Sequence, residues 1–310
     1  MREVVNQLLA NILRRNVKDV YQSKGVSVSE EIKTMRNGAW ERFGWLRHGF
    51  STRSGGVSTV YGGKSLNLGW TKEDDRASVV ENRRQFVRFV DGDLGDKRGS
   101  VLVGVRQIHS DIVRVVRGGD GAREGRLETE EGKAVLDGDG LITNVPGVLL
   151  GVGTADCVPV LMVDGKNRAV GAFHAGWRGT VAQIVERGVA MMVDEYGSRV
   201  EDLEAAVGPS IGSCCYSVGK EVHNEFHERF GYAADLFRVG VDENDAKIYL
   251  DLWEANRRQL LNAGVGEEQI TVVGECTACE VDARGEQKYF SHRGERGVAG
   301  RMLSVVGVAG

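Results

Sequence analysis

Short, nearly continuous apolar runs recur along this chain, at residues 101–105, 148–152, 158–163, 169–173, 270–273 and 302–308, each closed by glycine or polar residues. Runs of this length are strand-sized, and a strand apolar on both sides of its pleat belongs to a sheet covered on both faces. A further strand is expected at 112–116. A second periodicity is helical. Over 181–195 the residues Val181, Ile184, Val185, Val189 and Met192 keep to one face, and segments 218–230 and 250–263 behave alike. Strands and helices mixed over roughly 270 residues predict one α/β (α+β) domain built around sheet. No run approaches the roughly 20 residues needed to span a bilayer.

Residues 1–40 read as an N-terminal helical extension, and 41–310 as the catalytic domain. Val4, Val5, Leu8, Leu9, Ile12 and Leu13 fall at helical spacing, while Asn6, Asn11, Arg14 and Arg15 fill other faces. The stretch lacks the charged start and small-residue cleavage site of a secretory signal. Glu3, Asp19, Glu30 and Glu31 make it richer in acids than organelle-targeting peptides. A docking helix or frayed extension is the reading kept. Segment 118–133, glycine-rich and charged, reads as a surface loop or insertion.

The 40 basic and 44 acidic side chains are mixed along the chain, for a net charge of −4. No basic stripe marks a nucleic-acid or anionic-membrane partner. Five cysteines, with Cys214 and Cys215 adjacent and Cys276 and Cys279 in a CxxC, do not make a secreted disulfide framework. The cytoplasm is the expected compartment.

Three residues share a local setting. His109 follows a strand, Cys157 stands in the turn between two apolar runs, and His174 closes a strand before the glycine-rich Ala175-Gly176-Trp177-Arg178-Gly179. Ligands at strand ends are held rigidly while their heads point into a cleft. Two imidazoles and a thiolate suit Zn²⁺, and three protein ligands leave a fourth position for water or substrate. The spacing matches no short zinc motif, so each residue alone also reads as a structural one.

Several strings occur in a fixed order: His48-Gly49-Phe50-Ser51-Thr52-Arg53-Ser54-Gly55-Gly56, Ser65-Leu66-Asn67-Leu68-Gly69, Gln107-Ile108-His109-Ser110 and Thr154-Ala155-Asp156-Cys157-Val158-Pro159-Val160. His174-Ala175-Gly176-Trp177-Arg178-Gly179-Thr180, Gly208-Pro209-Ser210-Ile211-Gly212, Cys276-Thr277 and Phe290-Ser291-His292-Arg293 follow. Together they resemble the YfiH-like, laccase-domain ("polyphenol oxidase") family of purine nucleoside phosphorylases, from about Arg47 to Met302. The resemblance implies two stacked mixed β-sheets flanked by helices, and zinc on His109, Cys157 and His174. It also implies phosphorolysis of adenosine, inosine and S-methyl-5′-thioadenosine, with adenosine deaminase activity in the same site. The partners are then small molecules, purine nucleosides and phosphate. The N-terminal extension and segment 118–133 lie outside the pattern.

A zinc ion with an open position lowers the pKa of bound water or polarises a bound oxygen. Phosphorolysis needs cationic donors to hold phosphate, and Arg53, Arg178 and Arg293 each lie in a glycine- or serine-rich turn. Each equally reads as a residue that holds its turn together. Asn67 reads either as a contact to the ribose or base, or as the satisfied residue of its own loop. Asp156 either orients Cys157 or serves the turn.

Other chemistries compete. Two His and one Cys also form a blue-copper ligand set, and a single adventitious copper fits the donors. A multicopper cluster fails because the chain has six histidines in all. Gly208-Pro209-Ser210-Ile211-Gly212 matches a nucleophile elbow, with Ser210, Asp251 and His292 in hydrolase order, but residues 211–215 make a poor helix start. Cys276 and Cys279 with His223 and His227 make a candidate structural zinc site on a helix that otherwise reads as solvated. His223-Asn224-Glu225 imitates a deaminase signature, yet Glu275 stands where that signature wants proline. Gly151-Val152-Gly153 lacks the third glycine of a dinucleotide fingerprint. A zinc-independent cysteine hydrolase using Cys157 with His174, and a non-catalytic metal-binding module, complete the alternatives.

Overall fold

The alternation of side chains along the apolar runs sets the layers of the fold. The computed structural model describes residues 32–92, 99–129, 132–240 and 247–310. In chain order the strands begin with β1 (Thr34–Met35), β2 (Leu46–Ser51), β3 (Val101–Val103), β4 (Val113–Val116) and β5 (Gly140–Thr143). They continue with β6 (Val148–Thr154), β7 (Val158–Asp164), β8 (Ala169–Ala175), β9 (Leu203–Val207) and β10 (Ser217–Val218). The last are β11 (Phe237–Val239), β12 (Ile248–Leu250), β13 (Ile270–Val272) and β14 (Met302–Val308). The α-helices are α1 (Arg76–Asp91), α2 (Trp177–Val181), α3 (Ile184–Tyr196), α4 (Lys220–Arg229) and α5 (Leu252–Asn262).

One sheet runs β1-β2-β14-β6-β3, a second β13-β9-β7-β8-β5-β4, and a small third β10-β12-β11. Both large sheets are mixed, because β3 joins β6 in parallel, as β13 joins β9 and β4 joins β5, while the other pairs are antiparallel. Leu150, Val152, Val306 and Val308 of the first sheet meet Leu161, Val163, Val170 and Ala172 of the second in a core between the layers. The alternate residues Val160, Met162 and Phe173 face Ile184, Val189 and Leu260 of the helices beyond. On the outer side of the first sheet, Leu303 and Val305 meet Phe86 and Val90 of α1. The period-2 pattern thus buries each central strand twice. The predicted two stacked mixed sheets flanked by helices are observed.

The helices differ in their edges from the periodicity reading. The helix expected from 181 is broken, since Gln183 adopts a left-handed φ of 61° between α2 and α3. Leu250 ends β12, and Asp251 caps α5 by accepting from the Glu254 N–H at 3.0 Å. Helix α1 was not anticipated, because its buried stripe is interrupted by Asn82, a fully buried amide bonded to Ser58 and the Asn67 carbonyl.

The expected N-terminal helix lies outside the described residues. Just ahead of residue 41, β1 pairs with β2, and Trp40 is buried between the sheets. In segment 118–133, two short 3-10 turns lie at the surface, with Ala122 tucked into the core between the layers.

Candidate metal centre

The loop that carries His109 is zipped to β6 by Gln107, whose amide exchanges two 2.8 Å hydrogen bonds with the Gly153 backbone. Its far end closes on Asp139, the residue before β5. The Asp139 carboxylate accepts from the backbone N–H of Ile108 (3.2 Å), His109 (3.0 Å) and Ser110 (2.6 Å), and from the Ser110 hydroxyl (2.8 Å). These bonds hold His109 in a left-handed backbone, φ 59°. Strand β8 pairs with β5, so His174 is presented to the same carboxylate, its Nδ1 2.8 Å from Oδ1.

Asp139 is completely buried and belongs to the site, although the sequence reading passed over it. Burial raises its carboxyl, but the bonds from His174 and Ser110 outweigh this and hold it at about 2. The carboxylate therefore fixes the proton of His174 on Nδ1 and turns Nε2 outward.

Cys157 stands in the tight turn from β6 to β7. Asp156 before it takes a φ of 94°, a conformation costing a non-glycine residue about 1–3 kcal/mol. The cost is offset by its hydrogen bonds. The carboxylate accepts from the hydroxyls of Thr277 (2.8 Å) and Ser291 (2.7 Å) and from the Arg293 N–H (2.6 Å), while its carbonyl accepts from Ile211 (2.9 Å). Asp156 is the knot that ties three loops to the Cys157 turn.

One donor atom each from His109, Cys157 and His174 lies within 4.8 Å of the other two. The two imidazole rings meet edge to face, 5.0 Å apart. His174 is buried, Cys157 half-buried and His109 exposed, so the cluster opens to solvent on the His109 side. A Cβ on Gly176 would come within 3.0 Å of the Cys157 sulfur and 3.2 Å of His109 Cδ2, and glycine keeps that space clear. Burial pushes the Cys157 thiol up, but the His174 charge and hydrogen bonds to both imidazoles bring it down to about 6. Burial lowers His174, and the Cys157 and Asp139 charges raise it to about 9. A ready thiolate and a nitrogen pair aimed at one point fit a borderline-soft cation such as Zn²⁺.

Of the arginines foreseen as phosphate holders, Arg178 and Arg293 lie on this side of the molecule. Both act electrostatically on Tyr216, whose hydroxyl is pushed up to about 12 by burial first and then by the Cys157 charge. Arg293 bonds the Ser217 carbonyl at 2.9 Å and stands over the Tyr216 ring, while Arg178 stacks on Trp177 at 4.2 Å. Arg53 is engaged with the Tyr61 carbonyl, Glu295 and the Phe290 ring. Asn67 is fully buried. Its amide donates to Asp74 and the Gly69 carbonyl and accepts from the Gly69 and Arg301 backbones, so it satisfies its own loop.

The competing constellations come apart. Ser210 is buried, accepts from the Trp253 indole at 2.6 Å, and is followed by turns rather than a helix. Asp251 is a helix cap and His292 is exposed, so no elbow forms. The CxxC does not meet His223 and His227, whose rings lie 4.7 Å and 5.7 Å from the Phe237 ring. His48 accepts from the Asn37 backbone between the layers. Among the described residues, His109 and His174 are the histidines grouped in a candidate metal site, too few for a multicopper cluster.

The family model "Multi-copper polyphenol oxidoreductase laccase" matches residues 47–309. The purine nucleoside phosphorylase YlmD of Geobacillus stearothermophilus is 37% identical over 279 residues, covering 86% of this chain and 95% of its own. A protein of an unknown prokaryotic organism named adenosine deaminase RL5 is 37% identical over 232 residues, covering 74% of this chain and 84% of its own. The crystal structure of Bacillus licheniformis YfiH superposes with a TM-score of 0.75 at 33% identity, over 92% of this chain and 98% of that one.

Proposed function

This chain belongs to the multi-copper polyphenol oxidoreductase laccase family, and on that premise we propose that it is a purine nucleoside phosphorylase with a catalytic zinc ion on His109, Cys157 and His174. Its substrates in this reading are adenosine, inosine and S-methyl-5′-thioadenosine, and adenosine is also deaminated in the same site. The observation that carries the proposal is the convergence of two imidazoles and a thiolate at one solvent-facing point, with Asp139 fixing one imidazole from behind. We assign the catalytic domain to residues 41–310, with β1 and Trp40 packed onto it, and its compartment to the cytoplasm, where five thiols stay reduced. No helix among the described residues is long and apolar enough to cross a membrane.

When bound, the ion supplies Lewis acidity at an open position. The chain's own residues do the rest. Cys157 enters as the thiolate, and His174 gives up its Nε2 proton while Asp139 retains the one on Nδ1. Arg178 and Arg293 supply guanidinium groups that grip phosphate and hold it against the ribose. Arg53 and Asn67, first read as substrate contacts, act in this reading by holding the loops that flank the site.

The test is release of adenine from adenosine with and without phosphate, before and after dialysis against a chelator. Adenine release is expected to need phosphate, to fall at least about tenfold on metal removal, and to return with zinc. Turnover of none of the three nucleosides would sink the substrate class. Arg178→Ala is expected to raise the KM for phosphate about tenfold or more, as loss of a charged hydrogen bond costs about 1.5–3 kcal/mol. Zinc content stays unchanged in that variant. An unchanged phosphate KM would remove Arg178 from the role.

A second reading is favoured by one specific observation. Asp139, His174 and Cys157 stand in the order of a carboxylate–imidazole–thiolate hydrolase, with the thiol already lowered. That chemistry needs no metal, so chelator-resistant activity would select it.

A further inference from the structure

Four of the five cysteines meet in a cluster that does not include Cys157. The meeting follows from the sheet. Strands β9 and β13 are parallel neighbours, and the segments leaving their ends stay side by side. The Val273 N–H donates to the Val207 carbonyl (3.0 Å), Ser210 N–H to Glu275 (3.3 Å) and Thr277 N–H to Ser210 (3.0 Å). Past this irregular ladder each segment turns. The Cys215 and Tyr216 N–H groups close on the Gly212 carbonyl, and the Cys279 and Glu280 N–H groups close on that of Cys276. The two turns face each other with two thiols apiece.

All four sulfurs lie within 4.8 Å of one another, and Cys214 and Cys279 are 3.6 Å apart. That is far longer than the roughly 2.05 Å of a disulfide. It matches the edge of a tetrahedron with metal–sulfur bonds of about 2.3 Å, which is about 3.8 Å. An iron–sulfur cluster would interpose several atoms between its thiolates, so this spacing suits one ion. The Gly212 N–H also points at the Cys276 sulfur, 3.2 Å away, the kind of donor that steadies a metal-bound thiolate.

We propose that Cys214, Cys215, Cys276 and Cys279 form a second, structural site for a single zinc ion, held as a tetrathiolate between the two turns. Binding releases the thiol protons to solvent and leaves four sulfurs on one cation. The same turns carry Ile211 and Thr277, both bonded to Asp156. The ion therefore clamps the loops that set the backbone in front of Cys157.

Metal content of the full chain, purified under reducing conditions, tests this. The wild type is expected to hold about two zinc ions per chain, and the Cys157→Ala and Cys214→Ser/Cys279→Ser variants about one each. Cobalt(II) loaded into Cys157→Ala is expected to show the sulfur-to-cobalt charge transfer of a tetrathiolate, a readout that stands even where the serine variant fails to fold. Zinc lost in Cys157→Ala and fully kept in the serine variant would overturn the proposal, as would absent charge transfer or a Cys214–Cys279 disulfide in the reduced preparation. Zinc kept in Cys157→Ala and lost in the serine variant would support this site while refuting a metal at His109.

Discussion

Replacing His109 by alanine is expected to lower nucleoside turnover by at least about 10³-fold, the loss of several kcal/mol of metal-derived stabilisation. The fold should survive, because His109 is exposed on a loop, its ring touching the edge of His174. Alanine in the left-handed backbone at φ 59° costs about 1–2 kcal/mol, so His109→Gly is the companion variant that removes this strain. Both are expected to bind zinc weakly at this site and to melt close to wild type whose zinc is confined to the cysteine cluster. Cys157→Ala abolishes activity in either chemistry and separates nothing. His109 separates them, because in a hydrolase built from Cys157, His174 and Asp139 the second imidazole only helps to lower the thiol, and its loss is expected to cost far less than the loss of a metal ligand. Full activity in His109→Gly would end the zinc reading and leave the thiol one standing.

The layers of the fold were legible because hydrophobic alternation is a local property. Strand β7 declares in its own residues that it is covered twice, with Leu161 and Val163 to one layer and Val160 and Met162 to the other. Helix α1 was not legible, since a buried Asn82 occupies a position where the helical pattern calls for an apolar residue. Its partners, Ser58 and the Asn67 carbonyl, arrive from a loop some 15 to 24 residues away. Sequence periodicity carries no record of such a contact. The break at Gln183 has the same character, as glutamine gives no warning of a left-handed backbone.

The site divides along the same line. Cys157 and His174 could be singled out because each stands where a strand meets a turn, and His109 because it follows the apolar run 101–105, although β3 ends at Val103 and His109 lies well out on the loop. Asp139 could not, because its role exists only once β5 and β8 are paired and the His109 loop has folded over. A signal was present in Asp137-Gly138-Asp139-Gly140, which reads as an ordinary turn before a strand. The cysteines show the limit from the other side. The CxxC was legible as half of a metal site, and His223 and His227 looked like the other half. Only the parallel pairing of β9 with β13 reveals that the partners are Cys214 and Cys215.

Asp139 yields the other large effect, and the choice of substituent resolves what the carboxylate does. Its two oxygens accept from three backbone N–H groups, one hydroxyl and His174, with no solvent to take over any of them. Asp139→Ala leaves those donors buried and unpaired at about 1–3 kcal/mol each, enough to unfold a domain of ordinary stability. Asp139→Asn keeps the volume and one acceptor, so it is expected to fold. Its amide NH₂ must then face either the His174 Nδ1 proton or the backbone donors of the His109 loop. The first arrangement frees His174 to turn or to move its proton to Nε2, where it blocks the metal. Zinc affinity is expected to fall about 10–100-fold, the usual result of removing the partner of a ligating histidine. Turnover measured at saturating zinc would recover in part, while the melting temperature with and without zinc would differ less than in the wild type. A stability loss with unchanged zinc affinity would make Asp139 a loop anchor alone. The sign in acid is also fixed. The carboxyl lies at about 2 when folded against an ordinary value near 3.8, so its contribution is fully present above pH 4 and is lost as pH falls towards 2. The asparagine variant, having no such group, is expected to lose this part of the acid sensitivity.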